Sequence, residues 1–212
     1  MTKTEKVNDI LKILDHYFPS PEVPLHHKDA YTLLISVLLS AQCTDERVNK
    51  VTPELFRKYP TPQHFAALHP AELEPDIRST GFFRNKARSI VGAAQKVVQG
   101  FGGKVPDTME ALLTLPGVAR KTANVVLGTA YGLATGVVVD THVFRIAHRL
   151  KLSKGNTPEK VERDLMEIVP QRRWISFSHQ LIWFGRKVCQ ARKPLCGDCP
   201  VEPICDSADK TV

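Results

Sequence analysis

Several things are missing from this sequence. No apolar run is long enough to cross a bilayer: the longest, Tyr31 to Ala41, falls short of the roughly 20 residues a spanning helix needs. The first ten residues are polar and charged, so no secretory leader is expected. No segment alternates apolar and polar residues for long enough to read as a strand, and Val137-Val138-Val139 is β-branched but only a short link. No Gly- or Ser-rich linker and no internal repeat divides the 212 residues, so composition places no domain boundary. A carboxylate cluster of the kind that metal-dependent phosphodiester hydrolysis needs is also lacking. Acidic residues are outnumbered 22 to 29, for a net charge of +7. That balance suits a polyanionic partner, although solubility alone could account for it. Of five cysteines, four fall between Cys189 and Cys205, which argues for metal binding in a reducing cytosol rather than disulfides. A soluble, cytoplasmic protein with no membrane contact is expected.

What remains is helical, and the fold class is all-α. Ile10, Leu11, Ile13, Leu14, Tyr17 and Phe18 recur at helical spacing, so 4–18 reads as an amphipathic helix that Pro19 and Pro21 stop. About 29–41 is apolar around most of its circumference, the mark of a buried helix. The Thr-Pro pairs at 52–53, 61–62 and 157–158 each read as an N-cap followed by Pro at N1. A helix over 86–99 is ended by Gly100, and others cover about 141–151, 158–169 and 171–187.

The chain is organised around Leu115-Pro116-Gly117-Val118-Ala119-Arg120-Lys121. A short helix over 107–114 precedes it, with Asp107 and Glu110 spaced as a capping box, and a second helix over 119–130 follows. Pro116 and Gly117 break the chain between them, leaving unsatisfied backbone N–H groups at the second helix's start, which is an anion site. Arg120 and Lys121 then occupy a first turn where a cation is disfavoured by roughly 0.3–1 kcal/mol. A helix N-terminus, a neighbouring cation and partial burial all favour a neutral lysine amine, the nucleophile of Schiff-base chemistry. The plain alternative is a solvated phosphate contact. Asp140 directly precedes a helical run and reads as its N-cap.

The cysteines follow the spacing Cys189-x6-Cys196-x2-Cys199-x5-Cys205. Only the middle pair fits the paired spacing of structural zinc, and four thiolates also suit a [4Fe–4S] cluster, so chemistry alone leaves both open. The intervening loop carries Arg192 and Lys193 with no acid before Asp198, and closing it on a metal centre would present both cations to phosphates.

Leu115 to Ala123 resembles the helix-hairpin-helix of the endonuclease III family, bacterial DNA repair glycosylases. Val139-Asp140-Thr141-His142-Val143 resembles that family's catalytic aspartate segment, and Ser40-Ala41-Gln42-Cys43-Thr44-Asp45 and the four-cysteine run match as well. The resemblance implies a six-helix domain near 24–135, with the hairpin at about 107–130. A second domain would be built from 1–23 and 136–212, with a DNA cleft between the two. It also implies a monomer acting on damaged double-stranded DNA, with Lys121 as nucleophile, Asp140 as its catalytic partner and a [4Fe–4S] cluster on the four cysteines. Gly117, Ala119, Arg120 and His142 fall in the DNA-contacting motifs. Gln42 corresponds to the residue that fills the gap left by a flipped nucleotide, since an amide can both donate and accept. Phe82, in Gly81-Phe82-Phe83-Arg84-Asn85-Lys86, stands where the family's wedge loop has leucine, and Phe83 is expected to pack inward.

The implied activity is that of a bifunctional glycosylase and AP lyase on oxidised pyrimidines. A monofunctional glycosylase is one alternative. The related adenine glycosylases use a glutamate where this chain has Val37 and lack a lysine at the position of Lys121. A non-catalytic iron–sulfur DNA-binding protein is the other, and it would need neither Lys121 nor Asp140.

Overall fold

Side-chain caps, more than propensity, decide where the helices of this chain begin. The computed structural model describes residues 2–211, and among them every regular element is helical. The α-helices are α1 (Lys3–Tyr17), α2 (Ala30–Ser40), α3 (Asp45–Lys58), α4 (Pro62–Ala66), α5 (Pro70–Ile77) and α6 (Phe83–Phe101). They continue with α7 (Met109–Leu113), α8 (Arg120–Tyr131), α9 (Thr141–Arg149), α10 (Pro158–Ile168) and α11 (Trp174–Lys187). Thr2 with Glu5, and Asp29 with Thr32, form reciprocal capping boxes at α1 and α2. Thr44 and Thr157 cap α3 and α10 through their hydroxyls. No helix among the described residues is long and apolar enough to cross a membrane.

The chain divides into two compact units, Val23–Leu133 and Met1–Glu22 with Ala134–Val212. In the first, α2 is the central helix and packs against α3, α6 and α8. Leu34, Ile35 and Leu39 of α2 are fully buried, each contributing about 1.5–3 kcal/mol of apolar burial. They share a core with Phe65, Ile90, Val97, Val126 and Leu127. The second unit packs α1, α9, α10 and α11 around Ile10, Ile146, Leu165, Phe177 and Leu181.

Three expectations need correction. Thr52-Pro53 starts no helix: Pro53 lies inside α3, which begins at the Thr44 cap and keeps its buried stripe of Val48, Thr52 and Leu55 across the proline. Gly100 does not end α6, which runs on to Phe101. The left-handed residue that closes it is Gly102, with φ +60°, a conformation that costs glycine nothing sterically. The cap of α7 is Thr108, not Asp107; its hydroxyl accepts the Ala111 N–H at 3.3 Å. Burial of Leu112 and Leu115 sets that register, and it puts Glu110 one place too early for a capping box. Helix α5, with prolines at 70 and 75, had no apolar periodicity to announce it.

The cap assignment at α7 can be tested by urea unfolding. Thr108→Ala is expected to cost about 1 kcal/mol with an unchanged m value, whereas Asp107→Ala should stay within about 0.5 kcal/mol of the parent. The opposite order would return the cap to Asp107.

Candidate nucleic-acid interface and cysteine centre

In the Val23–Leu133 unit, α7 and α8 form a helical hairpin. Its turn is closed by the Val118 N–H donating to the Leu115 carbonyl at 3.1 Å, with Pro116 at the second position and Gly117, φ +78°, at the third. This is the residue pattern of a type II turn. Gly117 is required twice over. Besides its positive φ, a Cβ there would lie 2.6 Å from the Ser89 Cβ on α6 and 3.3 Å from the Leu38 Cδ2 on α2. Gly92 of α6 lets the hairpin in, because a Cβ at that position would meet the Pro116 ring at 3.1 Å. Ser89 and Gly92 escaped the sequence reading, since their only signal is a small residue every third place along a helix.

The N-cap of α8 is Ala119, which has no side chain able to accept a backbone N–H. The cap residue itself thus puts no side chain on the first-turn amides, and a helix N-terminus of this kind favours an anion. Arg120 and Lys121 occupy that turn and both are exposed. The partial burial expected for Lys121 is thus not found: position 121 lies off the buried stripe of Ala123, Asn124, Val126 and Leu127.

A pocket of about 290 Å³ in the same unit is lined by Val37, Gln42, Phe82, Asn85, Lys86, Ser89, Gly117 and Thr122, among others. It brings together three residues singled out from separate motifs: Gln42, Phe82 and Gly117. Gln42 and Phe82 are both exposed, and both sit in the left-handed region, at φ 52° and 47°. For a non-glycine residue this costs of order 1–3 kcal/mol and persists only where the surroundings impose it. Phe82 shows 62% of its surface to solvent, while Phe83 packs against the core. Cys43 is half-buried against that core.

The other candidates lie in the second unit. Asp140 caps α9, its Oδ1 accepting the His142 and Val143 N–H groups at 2.8 Å each. Both bonds fall on one oxygen. The His142 ring packs on Gly185 of α11, where a Cβ would come within 2.8 Å of its Nδ1. Burial pushes the His142 imidazole below its ordinary range; Asp140 opposes the shift, while Arg145 and Arg186 add to it.

The last turn of α9 holds the cysteine loop. Arg145 donates to the Cys189 carbonyl at 2.8 Å and to the Gly185 carbonyl at 3.1 Å. Arg149 reaches the Cys189 Sγ at 3.3 Å, the Gln190 carbonyl at 2.7 Å and the Ala191 carbonyl at 3.1 Å, and it pairs with Asp209 at 2.6 Å. Cys189, Cys196, Cys199 and Cys205 line one cavity, walled by Leu150, Phe184, Val188 and Val201. Burial raises the pKa of the Cys189 and Cys199 thiols, and Arg149 opposes this at Cys189. Arg192 and Lys193 are exposed on the loop. Arg145 and Arg149 were missed by the sequence reading; arginines one turn apart on a short helix are too common to single out.

A helical hairpin whose second helix opens on an alanine cap, an exposed lysine in its first turn and a four-cysteine cavity define a class. The profile described as HhH-GPD superfamily base excision DNA repair protein matches residues 35–171. Endonuclease III of Synechocystis sp. is 53% identical over 98% of this chain and 94% of its own length. Endonuclease III of Escherichia coli is 40% identical over 99% of each chain. A solved structure described as a trapped endonuclease III–DNA covalent intermediate, an estranged-adenine complex, superposes with a TM-score of 0.92 at 42% identity, covering 97% of both chains. The chain belongs to the endonuclease III family.

The Gly117 constraint gives a direct prediction. Gly117→Ala should destabilise the protein by about 1–3 kcal/mol through strain and overpacking, and should weaken binding to duplex DNA in a filter or anisotropy assay. Unchanged stability and binding would show that the turn closes without glycine.

Proposed function

We propose that this chain is a bifunctional DNA glycosylase and AP lyase of base excision repair, removing oxidised pyrimidines from double-stranded DNA through a Schiff base on Lys121. The observation that carries this reading is the placement of Lys121. It lies in the first turn of α8, exposed, directly behind the Gly117 turn and an N-terminus that no side chain caps. The amides from Ala119 onward suit a backbone phosphate, a contact that positions DNA without reading sequence. Lys121 Nζ then attacks C1′ of the flipped nucleotide, the glycosidic bond breaks, and the base leaves with a proton. Opening of the sugar gives the iminium. Loss of a C2′ proton expels the 3′ phosphate by β-elimination, and water releases the lysine. The covalent complex trapped for a relative at 42% identity supports a covalent route.

Asp140 has two compatible tasks. Its Oδ1 caps α9, while the carboxylate charge stabilises positive charge developing at C1′ and assists proton transfer. Gln42 fills the gap in the stack and Phe82 wedges the duplex. His142 contributes through its place at the start of α9, and Arg192 and Lys193 through phosphate contacts.

Cys189, Cys196, Cys199 and Cys205 would hold a [4Fe–4S] cluster. All four line one cavity. Four cysteines around one cavity provide the all-thiolate ligand set that such a cluster takes, and the likeness to the endonuclease III family favours it over zinc. When bound, the cluster supplies metal–thiolate bonds that stand in for apolar packing beyond α11.

Borohydride trapping on duplex DNA carrying thymine glycol tests the mechanism. Wild type should give a covalent band, and Lys121→Ala should give none while still binding. Asn caps a helix as well as Asp does, so Asp140→Asn separates the two tasks. Base removal should fall about 10²-fold or more with the thermal midpoint held. Base release without trapping would point to a monofunctional glycosylase, and binding without either to a docking module. For the metal centre, analysis should return about four iron and four sulfide per chain; one zinc and no sulfide would exclude the cluster.

A further inference from the structure

One buried lysine has no part in the chemistry above. Lys86, in the first turn of α6, is only 5% exposed. Its Nζ donates to the Leu39 carbonyl at 2.8 Å and to the Thr80 carbonyl at 2.7 Å. These two acceptors are not arbitrary. Leu39 lies in the last turn of α2, where helix carbonyls lack intrahelical partners and a cation is favoured, and Gln42 follows three residues later. Thr80 ends the 3-10 turn Arg78–Thr80, and Phe82 follows two residues later. A single ammonium, carrying three donors and no acceptor, therefore ties the turn that presents Gln42 to the turn that presents Phe82. These are the two left-handed non-glycine residues of this unit, and Lys86 lines the pocket they share.

We infer that Lys86 is a positioning residue that fixes the spacing of Gln42 and Phe82, and through it how the enzyme engages the base opposite the lesion. The inference rests on the proposed reading in which both turns enter the duplex. A methionine at position 86 would fill the same space but leave both carbonyls without a donor. A merely structural lysine would, on removal, reduce the fraction of folded protein and every activity by one factor. A positioning lysine changes instead the geometry reached by the molecules that are folded and bound.

The test uses duplex DNA with a tetrahydrofuran abasic site opposite 2-aminopurine, whose fluorescence reports unstacking, titrated to saturation with the full-length protein. Saturated amplitude does not depend on affinity or on active fraction. Wild type should change the fluorescence on binding. Lys86→Met should alter the saturated amplitude at least twofold and shift the ratio of excision rates opposite adenine and guanine. Lys86→Arg keeps the charge but displaces the donors; it should fall between the two, and it decides the matter if Lys86→Met does not fold. Variants that reach the wild-type amplitude, with rates opposite every base lowered equally, would overturn the inference. A wild-type complex that leaves 2-aminopurine unchanged would instead sink the underlying reading that Gln42 and Phe82 enter the duplex.

Discussion

The hairpin depends on a place where no side chain fits. At Gly117 the backbone passes so close to Ser89 and Leu38 that even a methyl group would collide, and its positive φ excludes most residues on backbone grounds as well. That close approach packs the α7–α8 turn against α6 and α2, and α2 is the buried axis of its unit. The amides that open α8 thus follow a turn packed directly against two helices of the core. Leaving Ala119 as the cap costs local helix stability, since alanine offers no side-chain acceptor to the amides that follow. Lys121 follows in the same turn, so its position is fixed by the same packing.

Much of this was legible in the residues because caps and turns are local. Asp29 before an apolar run, Thr157 before Pro158 and Pro116-Gly117 between two helices each announced a boundary that the structure places there within a residue. The misreadings share a cause in tertiary burial. Pro53 looked like a helix start, but the stripe of Val48, Thr52 and Leu55 carries α3 through it. Asp107 looked like a cap until burial of Leu112 set the register one residue later. The least legible features were partnerships between distant segments. Lys86 with Leu39, Ser89 with Gly117, and Arg149 with Cys189 are separated by dozens of residues or approach through atoms that carry no sequence signal. Gln42 and Phe82 were found through family likeness; their positive φ values belong to the fold and could not be read from residue type.

The second unit applies a related economy to one short helix. The first residues of α9 are capped by Asp140, and its last turn carries Arg149, which grips Cys189 and the two carbonyls that follow it. Arg145, one turn earlier, takes the carbonyl of the same cysteine and that of Gly185. Gly185 in turn lets α11 approach the His142 ring at the start of α9. A nine-residue helix would be marginal on its own in water, so α9 owes its position to these contacts and to its buried face of Val143, Ile146 and Ala147.

A metal centre on the four cysteines, as proposed, would have a structural task that needs no redox argument. The segment after α11 buries little apolar surface of its own, with Val201 as its main contribution to the core. Ion pairs tie it to the rest of the unit, Arg149 to Asp209 and Lys6 to Asp206, while Lys210 and Glu202 pair within the segment itself. Asp206 and Asp209 are over half exposed, so solvent screens these pairs although the Lys6 and Arg149 side chains are only 8% and 10% exposed. Four metal–thiolate bonds would outweigh all of them. Holding the cysteine loop also holds the acceptors on which Arg145 and Arg149 depend, and with them the helix that begins at Asp140. Loss of the centre should therefore be felt first as loosening of α9, and only through it at the carboxylate.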